Sequence, residues 1–345
     1  MATIDLTVRG AGMFGLTAAW DAVRRGARVR VIDPRGPGGG ASGGVVGALA
    51  PHAPENWNDV KAFQRDCLLA ARTYWPEVAA AAGKDPGFRA TGRLQPIADA
   101  AAEARARARA TSAHELWQGH AEWQVTDAPG AFAPTSPTGL WVYDTLSAQL
   151  DPPRTMAALA QAIRAAGGEV MTEGVEAGAV LHATGWEGLI DFAQAIGQPI
   201  ARGVKGQAAV LKADLGRVPQ VFVDGLHIVA HGPGRVAIGS TSENAFEAPE
   251  TVDDQLDGVI AQARAAMPVL ADAPVIARWA GVRARARSRA PVVGEWPGRP
   301  GHVVANGGFK IGFALAPGLA PFAVDLALEG RDSVPKAFRL DGIVS

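Results

Sequence analysis

The sequence predicts an α/β fold built on a Rossmann-like βαβ unit. Three observations predict it: an alternating segment at residues 4–8, a G-x-G-x-x-G run at Gly10, Gly12 and Gly15, and a second β-branched segment, "ARVRVID", ending at Asp33. In the first segment Ile4, Leu6 and Val8 alternate with Asp5 and Thr7, as a short strand requires. Phe14, Ala18 and Val23 then recur at helical spacing, and Gly26 marks the stop.

Glycine spacing alone decides nothing in a chain with 42 glycines among 345 residues, and a second match occurs at Gly38, Gly40 and Gly43. Context separates the two. The first lies at a strand-to-helix turn, whereas "DPRGPGGG" before the second has turn composition. At the first, Gly10 turns the chain, Gly12 lets backbone approach a pyrophosphate, and Gly15 lets helix pack on strand. The helix N-terminus offers N–H groups and partial positive charge, and Asp33 can accept ribose hydroxyls. Arg9 at the last strand position requires either an open strand end or a partner for its guanidinium.

Composition narrows the class. Hydrophobic residues make up 48% and charged residues 19%, with a net charge of −1, so nothing draws the chain to nucleic acid or to an anionic membrane. The single cysteine, Cys67, excludes internal disulfides and a cysteine zinc cluster, and its helical context reads as a buried structural thiol. No apolar run approaching 18 residues and no basic-then-apolar leader is read, which gives the expectation of a soluble, cytoplasmic chain. The Ala/Arg run "AAAEARARARA" at 100–110 reads as a solvated helix. His227 and His231 lack a third ligand at suitable spacing, so no metal is expected.

After Asp33 a nicotinamide protein would usually continue into a helix. Here "PRGPGGGASGGVVGALAPH", residues 34–52, supplies Gly, Ala and Ser without bulk, as backbone threading along a large cofactor needs. "GASGG" also fits the G-x-S-x-G nucleophile elbow with Ser42 as nucleophile, but an elbow needs a strand before the serine and a helix after it, and neither is present. With these residues the chain resembles the D-amino-acid oxidase family of flavoproteins, most closely its glycine oxidase branch. Further segments follow in the family's order: "FRATGRLQPI" (88–97), "DPPRTMAALAQAIRAAGGEV" (151–170), "EGVEAG" with "AVLHATGWEG" (173–188), "VKGQAAVL" (204–211), "HIVAHGPGRVAIGSTSEN" (227–244), "RWAGVRARARSRAPVVG" (278–294) and a terminal glycine loop with its helix (303–330).

The resemblance implies a Rossmann-like FAD-binding domain (1–84, 144–200 and 275–345) interleaved with an antiparallel-sheet substrate domain (85–143 and 201–274). It implies non-covalent FAD, since Cys67 lies away from the terminal loop. The implied contacts are Gly10, Gly12, Met13, Phe14, Gly15, Asp33, Pro34, Ala41, Ser42, Gly47, Ala48, Leu49, Val175, Ala183, Thr184, Gly185, Gly307, Gly308, Phe309, Lys310, Ile311 and Gly312. Val175 is placed on an adenine-side strand although a hairpin normal to the family is missing there. The terminal loop opens a helix over about 315–329, with Pro317 early and Gly330 past its end, and its N-terminus would stabilise negative charge on the flavin pyrimidine edge; the plain alternative is a turn before a packing helix.

At the substrate end, Arg283 matches the arginine that binds an amino acid carboxylate. His227 and Ser242 stand where the branch has a tyrosine and a methionine, and Lys310 adds a second candidate anchor for an acidic group. Arg285, Arg287 and Arg289 would share a face with Arg283 in one strand, so a turn after Arg283 is expected. The implied reaction is oxidation of a glycine-like, D-amino acid or sarcosine-like amine. Hydride passes from Cα to flavin N5, imine leaves, and O₂ returns H₂O₂, with no general base. A same-fold dehydrogenase passing electrons to a partner or quinone and an accessory flavin subunit of a hetero-oligomer are the alternatives, and either a homo- or a hetero-oligomer is compatible with the sequence.

Overall fold

The structure, a computed structural model, describes residues 3–344. The alternation near the start becomes the strand Leu6–Arg9, whose Leu6 and Val8 are fully buried. The helix Met13–Arg24 carries the chain to the parallel neighbour Val29–Ile32 and completes the βαβ unit. Glycine is required at the crossing: Gly10 has φ +104°, and a Cβ on Gly15 would strike the Gly10 carbonyl. Arg9 finds its partner in Glu176, 3.5 Å away.

This unit sits in a six-stranded sheet ordered Val292–Glu295, His302–Asn306, Ala179–His182, Leu6–Arg9, Val29–Ile32, Glu169–Met171, parallel except for its first pair. The helices Met13–Arg24, Asp59–Ala82, Pro152–Ala165 and Gly312–Glu329 pack on one another in the main core, around Leu16, Leu68, Trp75, Leu159 and Leu319. Cys67 is buried there against Gly318, and burial pushes its thiol up to about 12, an inert structural group.

The second sheet has eight strands, ordered Val275–Ala286, Ala201–Leu211, Val236–Gly239, Leu226–Ala230, Gln220–Val223, Arg93–Pro96, Trp141–Asp144, Trp123–Thr126. Arg93–Pro96 and Gln220–Val223 pair in parallel and the other pairs are antiparallel. Leu256, Ile260 and Ala263 of the helix Gln255–Ala266 cover Leu211, Ile228 and Ile238 on one face. Val275–Ala286, which the sequence reading groups with the FAD-binding segments, pairs with Ala201–Leu211 in this sheet.

Three expectations need correction. The chain does not turn after Arg283: the strand runs to Ala286, and the turn falls at residues 287–290, where Arg289 has φ +65°. The charge crowding that suggested an earlier turn is relieved individually. Arg285 lies 5.3 Å over the Phe309 ring, Arg287 donates to the Ile343 carbonyl at 2.7 Å, and Arg287 and Arg289 are exposed. Val175 is not on a strand: pairing ends at Met171, residues 172–178 are irregular, and Val175 is 78% exposed. The last helix begins at Gly312, three residues before the expected start, and ends at Glu329 with Gly330 as its left-handed cap.

That helix is the one among the described residues long and apolar enough to cross a membrane by length and composition, although Asp325 and Glu329 interrupt its apolar run. It has 18 residues and a mean hydropathy of 1.3. Its apolarity is explained by the core: Leu315, Leu319, Ala323 and Val324 are buried there.

Beneath the second sheet the Arg93 guanidinium meets Asp144 at 2.8 Å, with both side chains buried, and Asp144 also accepts the Ser147 N–H. Asp144→Ala strands a buried cation, and denaturant unfolding should show a loss of about 3–5 kcal/mol. A loss below about 1 kcal/mol would mean that Arg93 finds water or another partner.

Candidate active site

Both sheets contribute to one cavity of ≈460 Å³. Its floor is made where three helices begin: Gly12, Met13 and Phe14 at the first, Thr184, Gly185 and Trp186 at the helix Gly185–Ala195, and Ile311, Gly312 and Phe313 at Gly312–Glu329. None of these N-termini is capped by the side chain of its own N-cap residue. By contrast Asn58, Asp99 and Asp151 cap the helices starting at Asp59, Ala100 and Pro152. Three positive helix ends therefore face one cavity with donors to offer an anion or an electron-rich ring edge.

The nucleotide end follows the sequence reading. One Asp33 oxygen accepts the Ala11 N–H at 2.8 Å and the other the Arg35 N–H at 2.9 Å, which orients the carboxylate at the cavity wall. Ser42 lies in the one-turn helix Ala41–Gly43, and its Oγ accepts the Met13 N–H at 3.0 Å. That role, with no strand before it, removes the hydrolase elbow. Gly47 has φ +65°, and a Cβ there would strike the Leu150 carbonyl, so the 44–48 main chain runs close along the wall.

Of the expected cofactor contacts, Gly12, Met13, Phe14, Asp33, Ala41, Ser42, Gly47, Ala48, Ala183, Thr184, Gly185, Gly308, Phe309, Lys310, Ile311 and Gly312 line the cavity. Gly10, Gly15, Pro34, Leu49, Val175 and Gly307 do not. Gly10 and Gly15 shape the turn from behind, Leu49 is buried in the core, and Gly307 hands its N–H to Asn306. Val175 is removed by its exposure. An open cradle, an oriented acidic residue and three positive helix ends fit FAD; Asp33, Ser42, the 44–48 backbone and the three helix starts would hold it.

At the opposite end stand Arg93, His227, Ser240, Arg283 and Lys310. The Arg283 guanidinium lies across Gly206, where a Cβ would collide with it, and donates to Ser240 Oγ and to the Thr241 carbonyl at 3.3 Å. Burial lowers it to about 10, partly opposed by Glu243, so it stays charged at neutral pH. His227 is lowered to about 3, first by burial and then by Arg93 and Lys310. The Gln220 amide nitrogen donates to the Leu49 and Ala148 carbonyls, which turns Gln220 Oε1 toward His227 Nδ1 at 3.1 Å. The imidazole is therefore neutral with its proton on Nδ1, leaving Nε2 as an acceptor. Burial, with Arg283 second, lowers Lys310.

Ser242 is corrected: it is exposed and outside the cavity, and Ser240 takes the inward place. The reason lies just past the strand Val236–Gly239. Thr241 Oγ1 turns to the Gln207 N–H at 2.8 Å and to Glu243, which sends the next side chain outward. The sequence reading also misses Arg93, Trp279, Phe222 and His52. His227 and His231 form no metal pair, since His231 Nε2 bonds the Val45 carbonyl at 2.7 Å, and no metal-holding group of three exists among the described residues.

Comparison with known proteins gives the family and the fold. The family model described as DAO, FAD dependent oxidoreductase, matches residues 5–326. Glycine oxidase of Pseudomonas putida is 31% identical over 157 residues, 45% of this chain and 42% of that enzyme, so the match spans less than half of that relative. The protein named as the thiamine biosynthesis oxidoreductase ThiO of Rhizobium etli is 29% identical over 344 residues, covering 91% of this chain and 94% of its own length. The crystal structure of glycine oxidase from Geobacillus kaustophilus superposes with a TM-score of 0.82 at 21% identity, over 99% of this chain and 98% of that one.

Asp33→Ala removes the acceptor of two backbone N–H groups at the nucleotide end. Flavin fluorescence titration of the stripped protein should show FAD binding weakened by about tenfold or more at unchanged far-ultraviolet circular dichroism. Unaltered affinity would place the cofactor's ribose elsewhere.

Proposed function

The chain belongs to the DAO family of FAD-dependent oxidoreductases, and from that premise we propose that it oxidises a small amino acid or amine to the imine with release of H₂O₂. The observation that carries this reading is the Arg283 guanidinium. It is partly buried, charged and unpaired with any carboxylate among the described residues, in the same cavity as three positive helix ends.

FAD, when bound, supplies a two-electron acceptor that takes hydride from the carbon bearing the amine. The chain's own groups do the rest. Arg283 takes the substrate carboxylate in a bidentate grip, which fixes the molecule in two directions. His227 Nε2 can accept one amine N–H, and its proton on Nδ1 is held by Gln220. Phe222, its ring centroid 4.7 Å from that of His227, lines the substrate end with apolar surface that excludes water from it. The start of the Gly312–Glu329 helix would offer its positive end to negative charge on a bound acceptor.

Anaerobic addition of glycine, sarcosine, D-alanine, D-proline and acidic amino acids to the FAD-loaded protein tests the reading. Bleaching of the flavin by at least one of them, with stoichiometric peroxide on re-aeration, is expected; an unchanged spectrum across the panel would overturn it. Arg283→Ala should raise the apparent KM by about 10- to 100-fold, since a charge-assisted pair contributes about 1.5–3 kcal/mol. KM should also rise as pH climbs through about 10, where Arg283 loses its proton, and a KM flat to pH 11 would detach Arg283 from the carboxylate.

A further inference from the structure

We propose that the cavity holds two acidic groups of one molecule, Arg283 taking the first and Lys310 the second, so that the amines it accepts best carry two carboxylates. The proposal rests on the oxidase reading for its amine but not for its anion sites.

The two cations are brought together by backbone pairing. Arg285 and Gly308 form an antiparallel bridge, and the Phe309 N–H donates to the Ala284 carbonyl at 3.0 Å. The chain then turns over residues 309–311, with Phe309 at φ +44°, and Lys310 lies in that turn directly after the Phe309–Ala284 bond. Both line the cavity, and the charge on Arg283 is felt at Lys310.

The local charge is unbalanced. Two carboxylates line the cavity, and both serve its nucleotide end: Asp33 holds two N–H groups, and Glu187 pairs with Arg35 at 3.1 Å. Arg93 is matched by Asp144, and Lys205 behind the site by Glu243 and Asp253. Lys310 has no ion-pair partner among the described residues; its Nζ lies 5.7 Å from the Phe309 ring centroid. A substrate with a single carboxylate neutralises Arg283 and leaves Lys310 facing another cation across a partly desolvated gap. A second carboxylate on the same molecule removes that repulsion and adds a charge-assisted contact.

The test uses the full FAD-loaded chain and unreactive ligands, read by the shift they induce in the flavin absorption band. Acetate, malonate, succinate and glutarate are titrated against wild type, Lys310→Met and Lys310→Arg. At least one dicarboxylate should bind wild type about tenfold or more tighter than acetate. Lys310→Met should bring that ratio to within about twofold of unity, and Lys310→Arg should keep most of it. No dicarboxylate preference in wild type, or a preference that survives in Lys310→Met, overturns the proposal. A loss of FAD content in Lys310→Met with the ratio intact also overturns it, by assigning the lysine to the cofactor alone. A dicarboxylate preference in a protein that no amine reduces would sink the oxidase reading and leave the two-anion site standing.

Discussion

The hydrogen bond from Phe309 N–H to the Ala284 carbonyl, with the Arg285–Gly308 bridge beside it, ties the two sheets together at the cavity. On one side is the strand His302–Asn306 of the parallel sheet, on the other the edge strand Val275–Ala286 of the eight-stranded sheet. The loop between Asn306 and Gly312 is laid along that edge, and it opens directly into the helix Gly312–Glu329. One short stretch of pairing thus sets where the last helix points its positive end and which side chain of the edge strand faces the same space. Asn306 secures the other flank, with its amide nitrogen on the Gly185 carbonyl and its oxygen on the Gly307 N–H. The starts of the second and third helices are tied together through that single side chain.

The result is a cavity with an excess of positive potential, and such an excess is unfavourable for a ligand-free fold. Two of the three helix starts have no side-chain cap from their N-cap residue and the first is met only by Ser42 Oγ at Met13 N–H, while a partly buried guanidinium resting on a serine and a carbonyl is poorly compensated. Elsewhere the chain uses the ordinary remedies: Asn58, Asp99 and Asp151 cap their helices, and Asp144 sits on Arg93. The remedies are withheld where a cofactor carrying phosphates and a substrate carrying carboxylate would supply the missing negative charge. Stability is given up at the site and recovered on ligand binding, as mass action requires for anything that binds only the folded state.

Much of this was legible in the residues because the features are local. The first strand, the glycine turn and the second strand ending at Asp33 all lie within 30 residues, so period and spacing suffice to place them. Arg283 was legible through its motif. What escaped depends on contacts distant in sequence or on a phase shift. Arg93 becomes a cavity residue only because Asp144, 51 positions on, neutralises it in the second sheet. Ser240 rather than Ser242 faces inward because Thr241 is captured by Gln207 and Glu243, which strand periodicity cannot anticipate. The run of alternate arginines looked incompatible with one strand until Phe309, 24 residues beyond Arg285, came to lie under it. The terminal helix starts at Gly312, a poor helix former that sequence propensity leaves outside it.

The same positive surplus bears on how an amine could react here without a base. His227 is too weak to take a proton from an ammonium group at neutral pH, since burial and the charges of Arg93 and Lys310 hold it near 3. No carboxylate lines the substrate end to do so instead. An ammonium entering that end meets Arg283, Lys310 and a positive helix terminus, each of which disfavours its charged form. In the proposed reaction, the field that attracts a carboxylate would also drive the amine toward its neutral state, in which the nitrogen lone pair can assist hydride departure. His227 Nε2, bare and uncharged, is suited to receive the remaining N–H and unsuited to store a proton. One distribution of charge thereby serves both ends of the molecule, and a basic side chain at this position would oppose it.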